Sequence, residues 1–243
     1  KILFDLGPDD TLFENCKKRQ IDLAAIDTVV ISHGHMDHGG ALEQFLQVNS
    51  LSKVYIQRKA FEMHYTKILF FKFNVGIDKS LMGHPQIVLL DGDYSIDDDL
   101  MLFTVPDTQK GYSPANNALY IDAGKDDFSH EQNLLVFGDP NLLVMGCGHA
   151  GIVNIIERAQ RYSPKVCVGG FHLYNPLTKR TVSPVLLDEI SDSLKGYDVQ
   201  YYTCHCTGHT AFEYLSQRLD NMHYLSCGKS IKFGLKEPCI IKE

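Results

Sequence analysis

A mixed α/β fold is the prediction, and two observations carry it. Short apolar runs recur along the whole chain, and three later segments repeat apolar residues at helical spacing instead. The first half reads as rich in hairpin-like strands, and the second half alternates helix with strand. At 243 residues the length suits one large α/β or α+β domain, able to bury about 70–75% of its unfolded surface without disulfide staples. No linker, internal repeat or low-complexity tract interrupts it, so 1–243 reads as a single domain.

The elements follow in order. Ile2-Leu3-Phe4 is a buried strand that ends at Asp5 and the turn Gly7-Pro8. Asn15 to Gln20 reads as a short helix. Thr28 to Ile31 is a second strand that runs into a histidine cluster, and Lys53 to Gln57 is a third. Ile87 to Leu90, Leu100 to Val105, Ala118 to Ile121, Leu134 to Phe137 and Leu142 to Met145 continue the series, the last two joined by the turn Gly138-Asp139-Pro140-Asn141. Val166 to Val168, Gln200 to Thr203 and a stretch near Tyr224 close the strands. Helical faces are carried by Ile152, Ile155, Ile156 and Ala159, by Leu187, Ile190 and Leu194, and by Phe212, Leu215 and Leu219. Residues 58–85 break the strand pattern with Phe61, Tyr65, Phe70, Phe71 and Phe73 among basic residues. They read as a helical insertion packed on the core or as a lid over a substrate.

Composition narrows the function. Lys+Arg 23 against Asp+Glu 30 gives a net charge of −7, which argues against nucleic acid or an anionic membrane as the main partner. No apolar run approaches the roughly 20 residues needed to span a bilayer, and no basic leader with an apolar core is visible. Seven scattered cysteines suit reduced thiols, so a cytoplasmic protein is expected. Oligomeric state stays open, a homo-oligomer included.

Ser32-His33-Gly34-His35-Met36-Asp37-His38-Gly39-Gly40 carries the chemistry. Imidazole nitrogen and carboxylate oxygen bind divalent zinc, iron or manganese. His33 and His35 alternate with Gly34 and Met36 and so can point one way, while Asp37 and His38 follow as the chain turns into a helix. That suits two adjacent ions, one on His33 and His35 and the other on Asp37 and His38. Two ions need more ligands from other strand ends. Gly146-Cys147-Gly148-His149-Ala150-Gly151 and Thr203-Cys204-His205-Cys206-Thr207-Gly208 each place a histidine between a strand and a helix. Cys147, Cys204 and Cys206 read as small packing residues beside the site. His209 reads as a helix-start or pocket residue with a possible substrate contact. His130 and, in the loop Tyr112–Asn117, Asn116 are further candidate substrate contacts. His64, His84 and His223 read as structural or exposed.

On these pieces the chain resembles the metallo-β-lactamase-fold hydrolases. Phe4-Asp5-Leu6-Gly7, Ser32 to Gly40, Asp127 to Gln132, Gly146 to Asn154, Gly169-Gly170-Phe171-His172-Leu173 and His205-Cys206-Thr207-Gly208 all match. The Gly-Gly-Phe-His and His-Cys-Thr-Gly pieces resemble the subgroup named after the dihydropterin ribofuranosyl-aminobenzene-phosphate synthase. The resemblance implies a four-layer αββα sandwich, with His33, His35 and His149 on one ion and Asp37, His38 and His205 on the other. Asp5 would steady the loop from behind. Relatives have strands before the Phe4-Asp5 strand, which leaves a truncated chain or a short first sheet as alternatives. Many also carry a bridging Asp where this chain has His172, and no carboxylate lies between Lys165 and Asp188. His172 therefore has three open roles: binding one ion, a substrate or proton role as general acid, or structure.

The expected function is a dinuclear metallohydrolase with zinc as the first choice of metal. It would use a metal-activated water or hydroxide, with Asp37 and His172 as catalytic residues, on a small phosphate-containing substrate such as a phosphodiester or nucleotide. A pterin-pathway synthase or transferase and a non-catalytic metal- or nucleotide-binding sensor are the alternatives. A di-iron redox role would want more carboxylates and a flavin partner. A β-lactam substrate would go with export.

Overall fold

The computed structural model describes residues 1–243 apart from 69, 107, 109, 234–238 and 242–243, with only the backbone of 239–241. Among the described residues, strands of three residues or more are, in chain order, β1 (Ile2–Phe4), β2 (Thr28–Val30), β3 (Lys53–Gln57), β4 (His64–Ile68), β5 (Phe71–Asn74) and β6 (Ile87–Leu90). They continue with β7 (Leu100–Phe103), β8 (Leu119–Ile121), β9 (Asn133–Val136), β10 (Leu142–Val144), β11 (Val166–Gly169), β12 (Gln200–Thr203), β13 (Met222–Tyr224), β14 (Ser230–Lys232) and β15 (Cys239–Ile241). The α-helices are α1 (Thr11–Lys18), α2 (Met36–Gly39), α3 (Leu42–Val48), α4 (Ile152–Ala159), α5 (Pro184–Leu194) and α6 (His209–Ser216). The chain divides into two compact units, Lys1–Tyr94 with Asn117–Gln132, and Ser95–Asn116 with Asn133–Glu243.

The first unit is built on a parallel sheet in the order β1-β2-β3-β6, so these strands are not the hairpin-like neighbours expected. Parallel neighbours need crossovers, and α1 supplies the one from β1 to β2. Strands covered on both faces read as unbroken apolar runs, which is why Thr28–Val30 and Lys53–Gln57 are legible as strands. Val29, Val54 and Ile56 bury their side chains against Leu6, Ile31, Leu42, Phe45 and Phe61. Each such burial contributes about 1.5–3 kcal/mol relative to exposure.

A second sheet of this unit pairs β8, β4 and β5 antiparallel. Here the helical expectation for residues 58–85 is corrected. Short 3-10 turns at Arg58–Phe61 and Lys79–Gly83 flank a hairpin of β4 and β5. The reason is a period of two: Phe71-Lys72-Phe73-Asn74 alternates apolar with polar and pairs with Tyr65 to Ile68. Phe70 is 97% exposed and Phe71 68% exposed. The basic residues of this segment have local partners. Arg58 forks onto the Asp91 carboxylate, Lys59 Nζ donates to Ser129 Oγ, and Lys67 Nζ lies 3.6 Å from the centre of the Tyr120 ring.

The second unit is a mixed sheet. β7, β9 and β10 are antiparallel neighbours, and β10, β11, β12 and β13 run parallel. α4 buries Ile152, Ile155 and Ile156, α5 buries Leu187, Ile190 and Leu194, and α6 buries Leu215, all in one core with Leu135, Leu143, Cys167 and Tyr201. α5 starts at a cap: Ser183 Oγ accepts from Leu186 N–H, and Pro184 follows at the first helical position. β14 and β15 form a separate antiparallel pair. Among the described residues no helix is long and apolar enough to cross a membrane.

Candidate metal centre

In the first unit, β2 delivers the chain into the His33–His38 loop, and the end of β1 lies beside it. Asp5 N–H donates to Val30 O, and Leu6 N–H donates to His38 O. Asp5 takes a left-handed conformation, φ 61°, which aims its carboxylate back at the loop. Asp5 Oδ1 accepts from Ser32 N–H at 2.7 Å, and Oδ2 accepts from Ser32 Oγ at 2.8 Å. Oδ2 also meets His38 Nδ1 at 2.6 Å. Having given its proton to Asp5, the Ser32 hydroxyl accepts from His33 Nδ1 at 2.8 Å. Both rings thus carry their proton on Nδ1, which puts the lone pair of His33 and of His38 on Nε2. A carboxylate or hydroxyl behind an imidazole is the support that a metal-binding histidine needs.

The donor atoms of His33, His35 and Asp37 lie within 4.8 Å of one another, and His38 Nε2 stands 3.7 Å from Asp37 Oδ2. His33, His35 and His38 are buried, whereas Asp37 is exposed. Burial, helped by the neighbouring His130 and His64 rings, holds His35 well below the usual imidazole pKa, so it is neutral. Neutral imidazoles and a carboxylate converging on a few ångströms fit a divalent cation of the zinc class.

In the second unit, His149 follows β10 and precedes α4. Gly148 and Gly151 on either side take φ values of 66° and 88°. A Cβ on Gly148 would stand 2.8 Å from Gly170 O, so this turn requires glycine. Asn116 grips His149 twice: its Oδ1 accepts from Nδ1 at 2.8 Å, and its Nδ2 donates to the His149 carbonyl at 2.9 Å. The His149 lone pair is therefore also on Nε2. Asn116 is buried and committed to this ring, which gives it a supporting place rather than the substrate-facing one expected.

His172 packs its ring 4.1 Å from that of His149 and is buried. Its backbone φ is 48° and that of His205 is 51°. Non-glycine residues held there cost on the order of 1–3 kcal/mol each and concentrate at functional sites. Hydrogen bonds hold the two turns: Phe171 N–H donates to Thr207 Oγ1, and Leu173 N–H to Cys206 O. Cys147 is buried as expected and is more central than expected. Its sulfur lies within 4.8 Å of donor atoms of His149, His172, His205 and Cys206. His205 is exposed on the 3-10 turn His205–Thr207. His209 is the exposed first residue of α6, with its ring stacked on Tyr224 at 4.7 Å.

His130 lies elsewhere than the substrate-facing place expected, while His64 is structural, one of the two places the sequence allowed it. Both are buried in the first unit against Asp126. His64 therefore has a specific partner, and His130 faces the interior, where Gly34 N–H donates to its Nδ1 at 2.9 Å. Asp126 was not singled out from sequence. The polar run Asp126-Asp127-Phe128-Ser129-His130-Glu131-Gln132 was the available signal, since that many polar groups inside a fold need partners.

A family model described as the metallo-beta-lactamase superfamily matches residues 1–212, and the chain belongs to that superfamily. Its members are generally metal-dependent hydrolases that bind divalent cations, and the histidine and carboxylate cluster of the first unit and the histidine and cysteine cluster of the second accord with this. An uncharacterized protein of Methanocaldococcus jannaschii is 30% identical over 236 residues, covering 95% of this chain and 88% of that one. The 7,8-dihydropterin-6-methyl-4-(beta-D-ribofuranosyl)-aminobenzene-5'-phosphate synthase of the same organism is 25% identical over 258 residues, covering 96% and 84%. Among solved structures, Tm1679, a metal-dependent hydrolase of the beta-lactamase superfamily, matches with a TM-score of 0.72 at 25% identity, covering 92% of this chain and 84% of that one. An isothiocyanate hydrolase from Delia radicum gut bacteria shares the fold, with a TM-score of 0.52 at 17% identity over 83% and 74%.

Proposed function

We propose that this protein is a dinuclear metallohydrolase acting on a small phosphate-containing molecule, with zinc as its first-choice metal. One observation carries the reading: His33, His38 and His149 each give their Nδ1 proton to a fixed acceptor, Ser32, Asp5 and Asn116, so each presents Nε2. Three histidines prepared the same way suit ligation better than packing. The assignment is His33, His35 and His149 to one ion, and Asp37, His38 and His205 to the other.

When bound, such cations supply Lewis acidity and a water whose pKa falls towards neutrality. The chain itself supplies orientation. Asp5 and Ser32 hold two ligand rings, Asn116 holds a third, and Asp37 remains exposed to accept a proton or contact the ion. His172, buried beside His149, is assigned to hold the substrate or pass a proton to the leaving group. The phosphate is argued from the synthase relative, whose own name carries a 5'-phosphate.

Hydrolysis of bis-p-nitrophenyl phosphate by protein reconstituted with zinc, manganese or iron tests this. Metal-dependent turnover is expected, and no turnover with any of them removes the phosphodiesterase reading. The same relative favours a second reading, a synthase step on a ribose phosphate. Calorimetry with pterins and ribose phosphates separates the two: tight binding without hydrolysis would favour the synthase, and flat titrations would discard it.

A further inference from the structure

Four buried groups of the first unit converge behind the ligand loop. Donor atoms of His35, His64, Asp126 and His130 all lie within 4.8 Å of one another. At first sight they could form another ion site. His130 argues otherwise. Its Nδ1 accepts the Gly34 N–H at 2.9 Å, so its proton is on Nε2, which donates to Asp126 Oδ2 at 3.2 Å. A neutral ring in that tautomer has no lone pair on Nε2 to give a metal. Asp126 Oδ2 is also 3.0 Å from His64 Nδ1.

The object of this arrangement is Gly34, the residue between ligands His33 and His35. Its N–H goes to His130, and its carbonyl accepts from Ile77 N–H at 3.2 Å. A Cβ on Gly34 would meet Ala60 O at 2.5 Å and His64 Nε2 at 2.6 Å, so the backbone here lies too close to the His64 ring for any side chain. The same segment is stitched to the loop again one step along. Gln132 N–H donates to Ser32 O, and Gln132 Nε2 donates to Ile31 O and Tyr55 O.

We propose that His130, oriented by Asp126 and backed by His64, is a positioning residue: by accepting the Gly34 N–H it sets the angle between His33 and His35 and so the affinity for metal. The inference rests on the metal-binding reading above. It is distinct from it in acting through the backbone and in being visible without metal.

Two substitutions divide the roles of the ring. In His130→Asn the side-chain oxygen stands where Nδ1 stood and keeps an acceptor for Gly34. In His130→Gln the amide reaches the Nε2 position and keeps a donor for Asp126 while losing the Gly34 acceptor. Zinc affinity of the full chain is measured by chelator competition, alongside melting of the metal-free protein. His130→Gln is expected to bind zinc about 10–100-fold more weakly, and His130→Asn to stay close to wild type, with both metal-free proteins melting alike. Wild-type zinc affinity in His130→Gln would overturn the proposal, as would a further ion held by His130.

Ring and amide nitrogen NMR of the metal-free chain keeps the test separate from the metal reading. His130 should show a protonated Nε2 and an unprotonated Nδ1, and the Gly34 amide should shift in His130→Gln but not in His130→Asn. A protonated Nδ1 or an unmoved Gly34 amide overturns the positioning role even if the wild type binds zinc. Absence of zinc binding in the wild type with the expected spectra would instead bring down the metal reading, and with it the claim that this contact tunes metal affinity.

Discussion

Two carboxylates of the first unit each hold histidines: Asp5 holds His38 by Nδ1, and Asp126 holds His64 by Nδ1 but His130 by the opposite nitrogen. Asp5, at the end of β1, takes the Nδ1 proton of His38 and a proton from Ser32, which in turn takes the Nδ1 proton of His33. Asp126 takes the Nε2 proton of His130, so that Nδ1 can hold a backbone amide. The first arrangement presents lone pairs for a ligand. The second uses the ring up inside the protein. His38 and His130 therefore do different work, and the difference lies in which nitrogen the carboxylate reaches. Burial would raise the Asp126 pKa, but hydrogen bonds from His130 and His64 outweigh it and hold the carboxyl well below the usual range.

This contrast can be broken at several points. Asp126→Ala should have the largest effect on stability, because it leaves two buried histidines without their acceptor. Denaturant unfolding of the metal-free protein should show a loss of about 2–6 kcal/mol, about 1–3 for each buried donor left unsatisfied. Asp5→Ala should act mainly on metal instead, with affinity falling about 10–100-fold by chelator competition. If the two variants gave the same pattern, the division of labour would be wrong. Gly34→Ala should cost about 1–3 kcal/mol in the same unfolding assay, because the added methyl meets the Ala60 carbonyl. In the second unit, Asn116→Ala should lower stability by about 1 kcal/mol and weaken metal retention in equilibrium dialysis.

The smallest effect is a pH dependence. Burial holds His130 below its ordinary pKa, against the opposing hydrogen bond from Asp126, and His35 is lowered further. The unfolded chain binds these protons below about pH 6.5 and the folded chain does not. Stability of the metal-free protein is therefore full above that value and falls as the pH drops below it. The depressed Asp126 adds a second loss only below about pH 4. Melting curves between those values check the sign, and His130→Asn should flatten the decline.

Most of the parallel sheet was legible because covered strands are continuous apolar runs, and β1, β3, β6 and β12 keep their expected bounds. The hairpin of β4 and β5 was not, because its aromatics are exposed and mixed with lysines, which hides a period of two. The loop His33–His38 was legible from its density of donors. The supports were harder. Polar residues in loops are usually exposed, so Asn116 and His130 read as substrate contacts, whereas Asn116 is buried against His149 and His130 against the Gly34 amide. The left-handed conformations of Asp5, His172 and His205 leave no mark in the sequence at all. They follow from tertiary contacts that overrule local preference.

The central claim is that this chain holds two divalent cations on the named histidines and carboxylate. Metal content per chain, measured by inductively coupled plasma mass spectrometry on protein purified without a histidine tag, tests it most directly. The expected result is about two ions per chain, reduced in Asp5→Ala. No bound metal, even after reconstitution with zinc, manganese or iron, would contradict it.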